Sequence, residues 1–175
     1  MSDYYLSVAN ESATSVTSLS ITDCFTTDYT LYDVKYVAKR SSSSSATYLY
    51  ARFLDSTNTE ISASNYDSGQ FRKLYVNTGI ETSRGDSKNI LEFFGFFNDA
   101  NDNAHGTFSV ANPYENDRYT VGYLSSNSRG MDSDTNWRAY IGMTGLQATT
   151  QVTGIKFYSD GNIDIDVQVS AYKAG

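Results

Sequence analysis

Apolar and polar side chains alternate at every second residue along much of this chain, and no window carries the 3.6-residue period of an amphipathic helix. A period of two places successive side chains on opposite faces of a pleated strand. From Leu31 to Lys39, for example, Tyr32, Val34, Tyr36 and Ala38 share one face, with Asp33, Lys35 and Lys39 on the other. The same pattern predicts strands over Tyr4 to Ala9, Val16 to Ile21, Leu31 to Lys39, Tyr48 to Leu54, Phe71 to Val76 and Ile90 to Phe97. It continues over Thr107 to Val110, Tyr119 to Leu124, Trp137 to Met143, Val152 to Tyr158 and Ile163 to Tyr172. With 15 Tyr and 9 Phe the chain holds ample bulk for a core, and such residues suit a pleated, half-buried surface. The polar run Ser41 to Ser45 reads as a hairpin loop between the strands that flank it.

The last two predicted strands allow a register argument. Ile155 and Phe157 face the core, as do Ile163, Ile165, Val167 and Val169, so a connecting loop must have odd length to keep them on one face. A three-residue Asp160-Gly161-Asn162 loop pairs Phe157 with Ile165 and Ile155 with Val167. Lys156 then lies opposite Asp166 on the outer face, a pair worth about 0.2–1 kcal/mol. The whole pattern predicts an all-β fold: an antiparallel β-sandwich, jelly-roll-like, of about 8–11 short strands with essentially no helix. One domain spans 1–175, with no internal repeat.

Charge narrows the partners. The formal net charge is −7, and the basic residues are scattered singly, so nucleic acid and an anionic membrane surface are poor ligands. No apolar run is long enough to cross a membrane as a helix, and the opening Met1-Ser2-Asp3-Tyr4-Tyr5 lacks the features of a signal peptide. Cys24 is the single cysteine, which rules out an intramolecular disulfide. Synthesis in a cytoplasm is the expectation.

Little in the sequence promises chemistry. His105 is the single histidine and lies in a turn-like Asn101-Asp102-Asn103-Ala104-His105-Gly106 stretch, so neither a catalytic triad nor a zinc site is expected. Asp99 to Asn103 and Asp132 to Asn136 resemble the start of an EF-hand loop. Ala104 and Trp137 then stand where Gly is needed, and Val110 and Met143 where Glu is needed. Glu81, Glu92 and Glu115 are the carboxylates to consider for glycoside hydrolysis, but nothing in the sequence pairs them. The expectation is no catalysis, no metal and no cofactor.

Two stretches suggest binding instead. In Leu91-Glu92-Phe93-Phe94-Gly95-Phe96-Phe97, rings fall on both faces of the strand, so either the domain covers both or Phe94 and Phe96 meet a partner. The polar run from Ser125 to Asn136 reads as a long loop, with Arg129, Asp132, Asp134 and the following Tyr140 as a candidate ligand or receptor surface. Trp137 shares a parity with Ala139, Ile141 and Met143, which assigns that face to the core.

Two regions together resemble one family. Leu19-Ser20-Ile21-Thr22-Asp23-Cys24-Phe25, followed by Tyr29-Thr30-Leu31-Tyr32, is similar to an opening in which a polar turn ends in Cys-Phe before Tyr-x-x-Tyr. Thr153-Gly154-Ile155-Lys156-Phe157-Tyr158-Ser159-Asp160-Gly161-Asn162-Ile163 and Val169-Ser170-Ala171-Tyr172-Lys173 resemble the same family's close, with Tyr-Lys where Tyr-Gly is usual. The family comprises small β-sandwich structural and surface proteins of marine tailed bacteriophages, cyanophage-like, found as fibre domains or head decoration. The resemblance implies a virion role and carries over no catalytic residue. With no coiled coil or stalk repeat in the sequence, an accessory, knob-like capsid-decorating protein on the virion surface is the leading expectation, its partner the major capsid protein or another virion protein. A tail fibre or tail accessory domain binding a host surface glycan is the alternative, a glycan-degrading enzyme a remote one, and a homo-oligomer remains open.

Overall fold

The structure, a computed structural model, describes residues 4–41, 47–62, 64–74, 80–97, 102–131 and 134–173. Its elements are β1 (Tyr4–Ile21), β2 (Leu31–Arg40), β3 (Thr47–Asp55), β4 (Tyr66–Leu74) and β5 (Ile80–Lys88), then β6 (Leu91–Phe97), β7 (Asn103–Ala111), β8 (Thr120–Met131), β9 (Asp134–Leu146) and β10 (Val152–Lys173). All of their pairings are antiparallel, and no helix occurs among the described residues. The all-β expectation holds.

The predicted final hairpin does not form. β10 is one strand of 22 residues that continues through Asp160-Gly161-Asn162, with a register shift against β1 there. Phe157 therefore lies opposite Leu19 on one side and Ala51 on the other, while Ile165 lies opposite Ala13 and Ala38. Lys156 pairs with Glu60 rather than Asp166, and Asp164 takes Lys39 at 3.3 Å. The assigned faces survive: Ile155, Phe157, Ile163, Ile165, Val167 and Val169 are all buried. An unbroken strand preserves parity as well as an odd loop does.

β1 follows one edge of β10 almost end to end, as a single strand of 18 residues where the sequence suggested two. Three register shifts interrupt it, one at Ser15, whose φ is 56° and whose N–H donates to Asp164 Oδ1 at 2.9 Å. The opposite edge of β10 is shared: β3 pairs with residues 152–159, and β2 with residues 163–172. β2 and β3 thus run one after the other along the same edge and form no hairpin together; β2 ends in a bend at Ser41, and residues 42–46 lie outside the described set. At that bend Ser41 N–H donates to Asn162 O at 3.0 Å, and a Cβ on Gly161 would lie 2.8 Å from Thr47 Oγ1.

Beyond the bend the sheet divides. β6 extends the β3 side; β7, β8, β9, β4 and β5 extend the β2 side, in that order. β6 then packs across β7 and β8, folding the single sheet into a nearly closed, barrel-like sandwich. The core is aromatic: Phe94 meets Phe108 and Phe157 edge-on with centroids 5.4 Å and 5.3 Å apart, and Phe25 meets Tyr32 at 4.9 Å. Such pairs add about 0.5–1.5 kcal/mol each beyond the area they bury.

β5 escaped the sequence reading because Glu81-Thr82-Ser83-Arg84-Gly85-Asp86 contains no apolar parity to detect. His105 is not in a turn: it is exposed on β7, opposite Val37 and Asn127. Cys24 is buried, and burial pushes its thiol up to about 12.

Two outcomes follow from this packing. On Gly122 an added Cβ would sit 2.1 Å from Phe108 Cε2, so Gly122→Val should lower stability by about 1–3 kcal/mol; an unchanged urea midpoint would contradict that contact. Cys24 should resist a thiol reagent in mildly alkaline buffer until urea unfolds the chain, and fast labelling of the folded protein would refute its burial.

Candidate functional site

Phe94 is not a docking residue. Between Leu49, opposite Gly95, and Ala51, opposite Leu91, β6 carries two extra residues, a bulge that keeps Leu91 and Phe97 on one parity and lets Phe94 within it turn inward as well. Leu91, Phe94 and Phe97 all become fully buried, although a straight strand would send Phe94 and Phe97 to opposite faces. Phe96 lies opposite Tyr48, and its side chain is outside the described residues. The Phe94 position is instead tied to the core by Tyr36, whose hydroxyl donates to Phe94 O at 2.5 Å.

The run from Ser125 to Asn136 is not a long loop either. It supplies the end of β8 and the start of β9, paired from Thr120–Leu146 to Met131–Asp134. Arg129 lies opposite Trp137 in this hairpin; the side chains of Arg129 and Asp134, and Asp132 altogether, lie outside the described residues. Much of both acidic stretches considered for calcium falls outside them too. Among the described residues no three His, Cys, Asp or Glu side chains gather.

β9 presents the face opposite to the expected one. Ile141 and Met143 are 45% and 68% exposed, while Arg138 and Tyr140 are 8% and 5% exposed and point inward. Cross-strand rows explain the inward face: Tyr36, Gly106, Ser126, Tyr140 and Arg72 stand side by side across β2, β7, β8, β9 and β4. The next row holds Ala104, Ser128 and Arg138. This end of the sandwich is thus lined with hydroxyls and guanidinium groups. Desolvation raises the Tyr140 pKa above that of an ordinary phenol, with Arg138 and Arg72 beside it pulling the other way.

Several buried atoms here have no hydrogen-bond partner: Arg138 Nε and Nη1, Gln70 Oε1 and Ser128 Oγ. Each costs on the order of 1–3 kcal/mol relative to a satisfied group. Their concentration around Tyr140 marks a polar interior that apolar packing alone would not select.

The Tyr140 and Arg72 side chains reach a cleft of about 210 Å³, whose other walls are Tyr48, Leu49, Tyr50, Glu92 and Gly95. Of the residues singled out from sequence, Tyr140 and Glu92 meet here; Glu115 is exposed in the connection before β8. Tyr48 stacks on Tyr50 with centroids 5.8 Å apart, and Tyr50 meets Tyr158 at 5.4 Å. Arg52 lies over the Tyr158 ring at 5.0 Å and ion-pairs with Glu60 at 2.5 Å, and Glu60 also holds Lys156 at 2.5 Å. The tyrosine ladder is therefore braced from beneath by a carboxylate clamping two cations. Burial pushes both Tyr50 and Tyr158 up to about 12, so these two rings stay neutral at physiological pH. The sequence signal for it was Tyr48-Leu49-Tyr50, two rings at one parity beside an inward Leu, which read only as strand.

A second surface lies on the outside of the same sheet. Phe71, opposite Ile141, is 62% exposed; Met143, opposite Tyr123, is 68% exposed, with Tyr123 at 48% and Val121 at 47%. Ile80, on β5 beside them, is 65% exposed. Phe71, Ile141, Met143, Tyr123 and Val121 form an apolar strip across β4, β9 and β8, while Ile80 stands opposite Lys73 on β4.

No protein-family model matches the chain, nor does any curated protein or solved structure. The reading of these surfaces rests on their geometry.

Hydrogen bonds from Lys156 and Arg52 hold the Glu60 carboxyl below the usual range. A depressed folded pKa contributes stability above the unfolded value and loses it as pH falls through the folded one. The parent should therefore exceed Glu60→Gln in stability at neutral pH, and the two should converge in acid. A gap that persists below the carboxylate range would show that the ion pairs are not its source.

Proposed function

We propose that this chain is a non-enzymatic accessory protein of a bacteriophage particle, knob-like and capsid-decorating, which docks on the virion surface through the apolar outer face of β4, β9 and β8. The supporting observation is the strip of Phe71, Ile141, Met143, Tyr123 and Val121. Large exposed apolar patches mark interaction surfaces, because each ring or aliphatic side chain left in water forgoes about 1.5–3 kcal/mol of burial. Regular β-structure presents these residues as a flat surface of fixed spacing, suited to a repeated, rigid shell. Aromatic and Met side chains are also the residue types enriched where protein interfaces are driest.

The virion setting comes from the family resemblance of Leu19 to Tyr32 and Thr153 to Lys173. The occupant assigned to the strip is the major capsid protein, with assembly in the host cytoplasm. A catalytic role has little support: Glu92 is engaged by Lys88 at 3.7 Å, and Glu115 stands apart from the cleft.

Substituting Phe71 and Met143 together with Ser tests the docking face without touching the core, since both side chains point to solvent. The double variant should melt like the parent and fail to co-sediment with phage particles stripped of this chain. Full particle binding by the folded variant would overturn the assignment.

A further inference from the structure

The tyrosine-lined cleft lies on the opposite side of β4 and β9 from the docking strip, because Arg72 and Tyr140 point inward where Phe71 and Ile141 point out. A particle protein bound through the strip would leave the cleft free. Its volume of about 210 Å³ is below the roughly 300–1,000 Å³ of pockets for drug-sized ligands, which limits it to one small ring. One side carries the rings of Tyr48 and Tyr50, stacked on each other, with Tyr158 against Tyr50. The other wall is polar and of mixed sign, with the Arg72 guanidinium, the Glu92 carboxylate and the Tyr140 phenol.

That combination selects a ligand class. Opposite charges on one wall give no net preference for an ion, and Lys88 at 3.7 Å from Glu92 further offsets the carboxylate. A planar guanidinium offers paired donors and a carboxylate offers paired acceptors. Together they match a ring bearing neighbouring hydroxyls, each both donor and acceptor. The apolar rims of the tyrosine ladder suit the C–H groups that such a ring carries on its other side. An independent observation points to a missing polar partner: Gln70, 6% exposed, has no donor for its Oε1, and it lines the small adjoining pocket that shares Glu92 and Tyr140 with the cleft.

We propose that the cleft between Tyr48, Tyr50, Arg72, Glu92 and Tyr140 binds one uncharged hexopyranose ring. The ring packs its C–H groups against the tyrosine pair, donates from vicinal hydroxyls to Glu92 and accepts from Arg72 and the Tyr140 hydroxyl. No bond is made or broken. The site is distinct from the docking strip, and the two readings stand or fall separately.

Saturation-transfer NMR on the full chain tests this with methyl β-glucopyranoside, methyl β-galactopyranoside and methyl α-mannopyranoside as probes. At least one should receive saturation on its ring protons. Tyr48→Ala, at a residue 39% exposed, should fold and weaken binding roughly tenfold. Glu92→Gln, which keeps the shape and removes an acceptor, should weaken it as well. Phe71→Ser alone, at a strip residue that lines neither the cleft nor the adjoining pocket, should bind the sugar like the parent. A β-1,4-linked glucose trimer separates a free sugar from the end of a glycan: affinity equal to that of the glucoside means one ring seated from either source. No transfer to any probe overturns the proposal, as does binding unchanged in both cleft variants or lost in the folded docking-strip variant.

Discussion

Everything in this fold is arranged around one strand that does not turn. From Thr153 to Ala171 β10 keeps its odd-numbered side chains inward, and each of its edges is occupied nearly along its full length. β1 fills one edge alone; β2 and β3 divide the other, and the point where they meet decides where the sheet splits. From that split come both the short β6 side and the long β7-β8-β9-β4-β5 side, whose inward faces enclose the core. The cleft lies between those two sides, so its geometry depends on the continuity of β10 although β10 contributes no wall to it.

Parity was the most legible property of the sequence, and where it was unbroken it assigned faces well. Tyr32, Val34, Tyr36 and Ala38 are buried as alternation requires, and so are Ile163, Ile165, Val167 and Val169. Connectivity was less legible, because the Asp160-Gly161-Asn162 stretch has turn composition whether or not the chain turns. Here Gly161 answers a different need, the close approach of Thr47. Parity misled in two places for physical reasons. In β6 a bulge brings Leu91, Phe94 and Phe97 all inward, and an insertion of that kind leaves no mark on the sequence. In β9 apolar residues occupy the outward parity and polar ones the inward, so a rule that sends apolar side chains inside reverses the strand.

That reversal is the functional clue. A sheet with Phe71, Ile141 and Met143 outside, and Arg138, Tyr140, Ser126 and Ser128 inside, is inverted relative to an ordinary sandwich wall. Apolar packing alone would favour the opposite arrangement, since both exposed rings and unsatisfied guanidinium nitrogens cost free energy. The inversion makes sense when the outer face is covered by another protein and the inner face serves a polar cleft. Both surfaces belong to β4 and β9, so the two proposed binding tasks would share one support. The candidate sites were hidden from the sequence because each depends on which face of these strands points inward.

The most direct test of the account is to find what lies beside Phe157. Cross-strand nuclear Overhauser contacts in the labelled protein should connect its backbone to Leu19 of β1 and Ala51 of β3. A backbone contact between Phe157 and Ile165 would instead close a hairpin at Gly161, and the shared edges, the split sheet and the cleft would fall with it.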